Sequence, residues 1–250
     1  MRDRGHDVLH LSTALAPAHR DLVVGRIKHR LRDGVEDWTL VATSCIEAGM
    51  DFSFRSGLRE RASTASLIQV GGRVSRGDEH DDAEVWDLLL LDDRFRSNPA
   101  VKVARNAVER FSEDELDRLP PADLATQAMR REWTAGADDK ARHLVKAEEE
   151  MEYPDVAIRC RVIETDTVTA VIDPGLAEAV RQHKNVSKIE LLRYSVQIWA
   201  KKTRELALEQ IGRAGDLYEW KQPYEPDFLG YMAGVLQLQK FMSDPEALIL

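Results

Sequence analysis

Strand-type and helix-type segments alternate through residues 1–95, and this alternation limits the possible folds more than any other feature. The runs VLHLST (8–13) and WTLVAT (38–43) are short and apolar, as strands are. Between them Ala18 to Arg32 repeats apolar residues at Leu22, Val23, Ile27 and Leu31 with basic residues opposite, directly after Pro17, a favoured residue for a helix's first turn. A further strand is expected in AEVWDLLLLDD (83–93), where Leu88 to Leu91 is too continuous to leave a wet face. Strands separated by crossover helices specify a parallel sheet.

The pattern changes after residue 96. Residues 97–152 are charged and helical, punctuated by Pro99, Pro120, Pro121 and Gly136, and read as a connector. Within it Ser112 followed by Glu115 is a capping-box signature for a helix start. In CRVIETDTVTAVID (160–173) two strand-like runs flank Glu164-Thr165-Asp166, which predicts a hairpin. Residues 187–211 allow two readings: Ile189, Leu192, Val196 and Trp199 have helical spacing, while YSVQIW (194–199) alternates as a strand does. The expected organisation is an α/β domain over 1–96, a helical connector over 97–152 and a small α+β module over 153–250.

Composition restricts function. The net charge of −9 argues against indiscriminate nucleic-acid coating, yet residues 1–77 carry +3 and the remainder −12, which leaves room for a local phosphate-binding face in the first third. The two cysteines, Cys45 and Cys160, lie far apart with no C-x-x-C partner, which suits reduced cytoplasmic thiols and excludes a multi-cysteine zinc site. No apolar run approaches the roughly 20 residues of a membrane span, and no export signal is legible at the N-terminus.

Chemistry concentrates in two motifs. VATSCIEAGMDF (41–52) puts Thr43 at a strand end, with Glu47, Gly49 and Asp51 in the turn beyond it; SLIQVGGRVSR (66–76) then spaces Gln69, Gly72, Arg73 and Arg76 as Q-x-x-G-R-x-x-R. Loops at strand ends are where open α/β sheets bind ligands. The adjoining Asp78-Glu79-His80-Asp81 has the composition of a magnesium-binding acidic box, but it follows a glycine instead of a buried strand, and the chain contains no G-x-x-x-x-G-K-[ST] phosphate loop. It reads as an exposed acidic turn. The pairs His6-Asp7 and His80-Asp81 lack the further ligands a metal site needs, so no metal site is assigned. Trp199, Tyr218, Trp220, Tyr224, Phe228 and Tyr231 could stack single-stranded bases, although burial is the commoner fate of aromatics.

The two motifs, in this order and at this spacing, resemble motifs V and VI of superfamily 2 helicases, in the second of their two RecA-like domains. HLSTALAPAHR (10–20), the E-A-G-M-D of 47–51 and YEPDFLGYMAG (224–234) are similar to the C-terminal part of the CRISPR-associated helicase-nuclease of type I interference systems. The resemblance implies a partial RecA-like helicase C-terminal domain, a parallel sheet with flanking helices, followed by the connector and an accessory domain. It implies catalytic roles for Arg76 as arginine finger, Arg73 as a phosphate-contacting neighbour and Gln69 as a coupling residue. Gly49, Asp51 and Gly72 would lie at the nucleotide, and Thr43, Ser12, Thr13 and Arg20, with His19 assisting, would meet the nucleic-acid backbone. ATP and magnesium are implied only with a complementary first motor domain, in cis or in trans. The implied partners are that domain, single-stranded DNA and a CRISPR RNA-guided surveillance complex, with no membrane. Only seven residues precede Val8, so the first strand and helix of such a domain are expected to be missing, as in a C-terminal fragment, a separately encoded subunit or a product of internal initiation. The alternatives are a non-catalytic nucleic-acid-binding or regulatory module and a part of a different superfamily 2 DNA or RNA helicase.

Overall fold

The computed structural model describes residues 4–47, 49–76, 80–89, 102–135, 139–159, 166–212 and 216–243. The chain packs as two compact units: Met1–Ile46 together with Ile163–Leu250, and Glu47–Val162. This division differs from the boundaries expected at 96/97 and 152/153. Composition marks changes along the chain, whereas the first unit is assembled from segments more than a hundred residues apart.

In the first unit, β1 (Asp7–Leu11) and β2 (Trp38–Ala42) pair in parallel, with Leu11 opposite Ala42, and α1 (Pro17–Arg32) is the crossover between them. Val8, Leu9 and Leu11 are all buried, as expected of a strand covered on both faces. Helix α1 turns Ala18, Val23 and Ile27 inward and packs on β1. Leu22, expected on the apolar face, is instead exposed, because the buried stripe is only as wide as the strand it covers. Pro17 occupies the first turn, where its missing N–H costs nothing, and Ala16 supplies no side-chain cap.

The rest of this unit is a four-stranded sheet in the order β6-β5-β8-β7, from β5 (Thr167–Val171), β6 (Ser195–Trp199), β7 (Glu209–Gln210) and β8 (Leu217–Glu219). β5 pairs antiparallel with β6 and parallel with β8. One face builds a core of Val168, Ala170, Val196, Ile198, Leu206 and Trp220, and Ala16 from the N-terminal segment is buried in it. The other face buries Val171, Ala177 and Ile211 beneath α8 (Pro174–Arg181), which Asp173 caps by accepting the Leu176 amide at 2.8 Å. Residues 187–211 combine both expected readings: α9 (Lys188–Arg193) ends at Tyr194 and β6 begins at Ser195. The described second half of the expected 160–173 hairpin is β5, which takes β6 and β8 as neighbours; residues 160–165 lie outside the described residues.

In the second unit β3 (Ser56–Glu60) and β4 (Glu84–Leu88) form another parallel pair, crossed over by α2 (Thr64–Gly71). Among the described residues the two parallel pairs are separate two-stranded sheets. Gly57 faces α2 and the turn after it: a Cβ there would stand 2.9 Å from Val74 and 3.1 Å from Val70. The expectation that Leu88 to Leu91 leave no wet face is corrected: Leu88 and Leu89 are 39% and 41% exposed, and Leu58 and its register partner Trp86 are 68% and 53% exposed. A two-stranded sheet with its one crossover helix covers a single face. Residues 90–93 of that stretch lie outside the described residues.

The described residues of 97–152 form helices α3 (Lys102–Val108), α4 (Glu113–Arg118), α5 (Pro121–Ala135) and α6 (Asp139–Glu149), and α7 (Tyr153–Arg159) follows. The capping box forms in full, Ser112 accepting the Glu115 amide while the Glu115 carboxylate accepts the Ser112 amide at 2.8 Å. Phe111, Leu124 and Ala128 make a small core that includes Ile68 of α2. No described helix is long and apolar enough to cross a membrane.

Candidate functional site

The candidate residues fall into two groups, one in each unit. The first sits at the C-terminal ends of β1 and β2. Their parallel register carries Ser12-Thr13 and Thr43 out of adjacent strands side by side, and the Thr43 amide donates to the Leu11 carbonyl at 3.2 Å. Thr43 and Thr13 are exposed. Ser12 is only 3% exposed, and its Oγ accepts the Ala14 amide at 3.2 Å, so its hydroxyl shapes the turn from within while its two threonine neighbours face solvent. Arg20, in the first turns of α1, is half-buried.

Residues 12–19 are held by the far end of the chain. Tyr224 Oη accepts the Ala16 amide at 2.9 Å and lies 2.8 Å from His19 Nδ1. The Tyr231 amide donates to the Ala14 carbonyl at 3.1 Å, and His10 Nδ1 meets the Phe228 carbonyl. Gly230 passes so close that a Cβ would lie 2.1 Å from the Ala14 oxygen. Burial lowers the pKa of His19 and raises that of Tyr224, the latter opposed by the Ala16 hydrogen bond and by the charge of Arg20. Trp220 is buried and Tyr224, Tyr218 and Tyr231 pack against the same core, which accounts for most of the C-terminal aromatics by burial. Trp199 differs: it is 51% exposed, with the Lys201 ammonium 4.8 Å from its ring centre.

The second group surrounds the turn that follows α2. Ser63 caps this helix by accepting the Ser66 amide, and Gly72 ends it. The chain then passes Arg73 and Val74, bridges to Phe54, and reaches Ser75 at a positive φ of 47°. Ser75 Oγ donates to the His80 carbonyl at 2.9 Å and stands 3.0 Å from its amide, which pins the turn that leads to β4. Arg73 donates to the Glu47 carbonyl at 3.0 Å, and Ser66 donates to the Glu47 carboxylate at 2.6 Å. Glu47 therefore ties the first motif to both the helix and the arginine of the second. The Arg76 guanidinium pairs with the Asp51 carboxylate, and its amide donates to Ser53 Oγ at 3.0 Å. Side chains of Arg76 and Asp51 are 51% and 83% exposed.

Thus Asp51 meets Arg76 directly, and Arg73 is bound through Glu47. Gln69 is exposed on α2. The two glycines differ: Gly49 has φ +74°, which favours glycine, while Gly72 has an ordinary φ of −68° and room for a Cβ, so its backbone does not account for the residue. Asp78 and Glu79 of the acidic box lie outside the described residues; Asp81 is exposed, and Asp82 pairs with Arg55, whose hydrogen bond holds the carboxyl below its ordinary range. Sequence reasoning placed Glu47 in the turn beyond Thr43 without giving it a role, and did not single out Ser53 or Ser66, because a short side chain that braces a turn has no spacing signature.

These described residues define a mixed α/β protein with polar side chains grouped at strand ends and beside an arginine-bearing turn. Residues 2–79 match the sequence profile of the family described as CRISPR-associated nuclease/helicase Cas3, C-terminal. A CRISPR-associated nuclease/helicase Cas3 from Haloferax volcanii is 31% identical over 118 residues, an alignment covering 39% of this chain and 13% of that protein. The fold is similar to that in the crystal structure of T. fusca Cas3-ADP, with a TM-score of 0.57 at 13% identity, covering 88% of this chain and 33% of that one. It is similar also to a chain of a pre-nicking CRISPR RNA-guided surveillance complex, with a TM-score of 0.54 at 13% identity, covering 88% of this chain and 34% of that one. Residues 2–79 are thus similar to the C-terminal part of the CRISPR-associated nuclease/helicase Cas3 family, and the fold of most of the chain is similar to that of solved Cas3 structures. It spans about a third of the length of the solved structures it matches.

Proposed function

We propose that this chain is the C-terminal motor half of an ATP-dependent DNA helicase of a type I CRISPR system, contributing motifs V and VI to ATP hydrolysis and translocation on single-stranded DNA. The observation that carries the reading is the joining of the two motifs: Arg73 bonds the Glu47 carbonyl and Arg76 pairs with Asp51. A motor must transmit events at the nucleotide to the strand, and direct bonds between the motif residues provide mechanical continuity for that coupling.

In this reading Arg76 is the arginine finger. Among the described residues its ionic partner is an exposed carboxylate, and exposed pairs are worth about 0–1 kcal/mol, so a phosphate group can draw the guanidinium away at small cost. Gln69 is exposed near the end of α2 and Arg73 lies in the turn that follows it, and Gly49, Asp51 and Gly72 are exposed around that turn. These residues fit the arginine-donating side of an ATP–magnesium site. The sequence holds no phosphate-cradling loop, so that side belongs to a first motor domain supplied in cis or in trans. Bound there, the nucleotide supplies the phosphoryl group; this chain's residues orient it and offset its negative charge. Thr13, Thr43 and Arg20 are assigned to the strand backbone, where hydroxyls and a cation position phosphate without reading sequence, with Ser12 shaping their turn. A surveillance complex would deliver the strand.

The test is a motor reconstituted with a complementary first domain. Arg76→Ala should lower the single-stranded-DNA-stimulated turnover number by about a hundredfold or more with strand binding retained, since a finger acts on charge developing in the transition state. Arg76→Lys should not restore it, because lysine lacks the planar fork of donors. Full activity of Arg76→Ala would sink the assignment in favour of a non-catalytic binding module.

A further inference from the structure

The geometry points to Tyr224 as a positioning residue that locks the strand-end turn 12–16, so that the C-terminal segment 224–231 sets how well the exposed hydroxyls of Thr13 and Thr43 meet a nucleic-acid backbone. The inference rests on the strand-end reading above. It adds a residue with no catalytic or ligand-contacting role and a function for a segment some two hundred residues away in sequence.

Four separate contacts join the two segments. The phenolic oxygen of Tyr224 accepts the Ala16 amide at 2.9 Å and is hydrogen-bonded to His19 Nδ1, 2.8 Å away. The tilted rings of His19 and Tyr224 lie 5.3 Å apart, and Tyr194 closes on His19 edge-on at 5.9 Å. The Tyr231 amide holds the Ala14 carbonyl at 3.1 Å. Gly230, at φ +58°, lets the two backbones approach more closely than any side chain would permit.

The consequence for the turn is specific. Ala16 precedes the first turn of α1 and offers no capping side chain, unlike Ser63, Ser112 or Asp173 at their helices. Ser12 shapes the turn locally through the Ala14 and Leu15 amides, and the entry into the helix is held in addition from outside, by a phenol bonded to Ala16 and an amide bonded to Ala14. Thr13 lies between Ser12, itself bonded to the Ala14 amide, and this pair of anchors. A hydroxyl so held meets a phosphate with little ordering left to do, whereas one on a loose turn loses affinity to the entropy of fixing it.

Tyr224→Phe deletes the oxygen and keeps the ring in its core. The test compares wild-type chain, Tyr224→Phe and Thr43→Ala by hydrogen exchange of the peptide spanning 12–19, by thermal melting, and by fluorescence anisotropy with labelled single-stranded oligo-dT across a salt series. Tyr224→Phe is expected to speed exchange at Ala16 roughly tenfold and to weaken oligo-dT binding about three- to tenfold, with the slope of log affinity against log salt unchanged because no phosphate contact has been removed. Thr43→Ala is expected to weaken binding with exchange at 12–19 unaltered. A merely structural Tyr224 would lower the melting temperature without this selective loss of affinity at temperatures where both proteins are fully folded. If wild type binds oligo-dT and Tyr224→Phe binds it equally well, the positioning role is overturned and the strand-end reading stands. If wild type fails to bind, the strand-end reading is overturned and the positioning role with it; unchanged exchange at Ala16 in Tyr224→Phe removes the lock regardless of binding.

Discussion

Replacing Gly230 by alanine should be among the most damaging one-carbon changes in the chain. At φ +58° an alanine carries a left-handed penalty of about 1–2 kcal/mol. The added Cβ would stand 2.1 Å from the Ala14 oxygen, 2.5 Å from its carbonyl carbon and 2.9 Å from the Leu15 nitrogen. All three are backbone atoms, so no rotamer change relieves the contact and the segments must separate, at about 1–3 kcal/mol for forced overpacking. Separation threatens the Tyr231–Ala14 bond and the paired bonds between Glu225 and Gly230. The expected destabilisation is about 2–5 kcal/mol, which for a chain of this size is a fall of roughly 5–15 °C in melting temperature. Gly25→Ala is the matched control: it lies within α1 with nothing within 4 Å of its Cβ position, and alanine there should stabilise by about 0.5–1 kcal/mol. Calorimetry or circular dichroism melting of the two variants beside wild type gives shifts of opposite sign if the reasoning holds. A Gly230→Ala protein that melts within about 1 °C of wild type would refute the close passage of the C-terminal segment over Ala14.

Other changes test other parts of the molecule. Asp87→Ala should cost about 3 kcal/mol by chemical denaturation, because it strips the carboxylate facing Arg59, whose side chain is 7% exposed, and also bonds Arg61 at 2.6 Å. Ser112→Ala, which removes half of a complete capping box, should cost about 1 kcal/mol in the same assay, and a loss below a few tenths would mean that the box does not hold α4 in solution. Burial depresses the His19 pKa, so the unfolded chain binds the proton more readily; stability conferred by the neutral ring should be present above the unfolded pKa of about 6.5 and decline as pH falls through the folded value. His19→Gln should flatten that part of the pH–stability profile, read from denaturation midpoints between pH 5 and 8. The chain by itself should turn over no ATP above background, since its sequence has no phosphate loop, and turnover abolished by Asp78→Asn would show the acidic box to be functional.

The elements that could be read from the sequence were those whose signal is local. Pro17 and the basic last turn bracket α1, Ser112 and Glu115 announce α4, and short, mainly apolar runs mark β1 and β2. β3 was not legible: SGLRE carries one apolar residue, and that one, Leu58, points outward. Its strand state comes from parallel pairing with β4, a contact that no window of the sequence contains. The ambiguity over 187–211 arose because α9 and β6 meet at Tyr194, so that apolar residues of two elements were read as one period. Burial explains most of the C-terminal aromatics, yet no aromatic pattern indicates that Tyr224 reaches Ala16. The motif arginines were legible by spacing; what each one bonds was not.

Those bonds separate the two arginines energetically. Arg73 is half-buried and donates to the Glu47 carbonyl, while Glu47 itself receives the Ser66 hydroxyl, so moving Arg73 would undo a charge-assisted hydrogen bond worth about 1.5–3 kcal/mol and loosen the segment that carries Gly49 and Asp51. Arg76 forms its pair in solvent, with both side chains at least half exposed, where an ion pair contributes at most about 1 kcal/mol and is screened by salt. Two guanidiniums three residues apart are therefore held with different strengths. On the proposed function, the weakly held one exchanges its carboxylate for a phosphate while the strongly held one keeps the turn in shape. One short turn would then supply both a fixed frame and a movable charge, by half-burying one arginine's partner and leaving the other's in water.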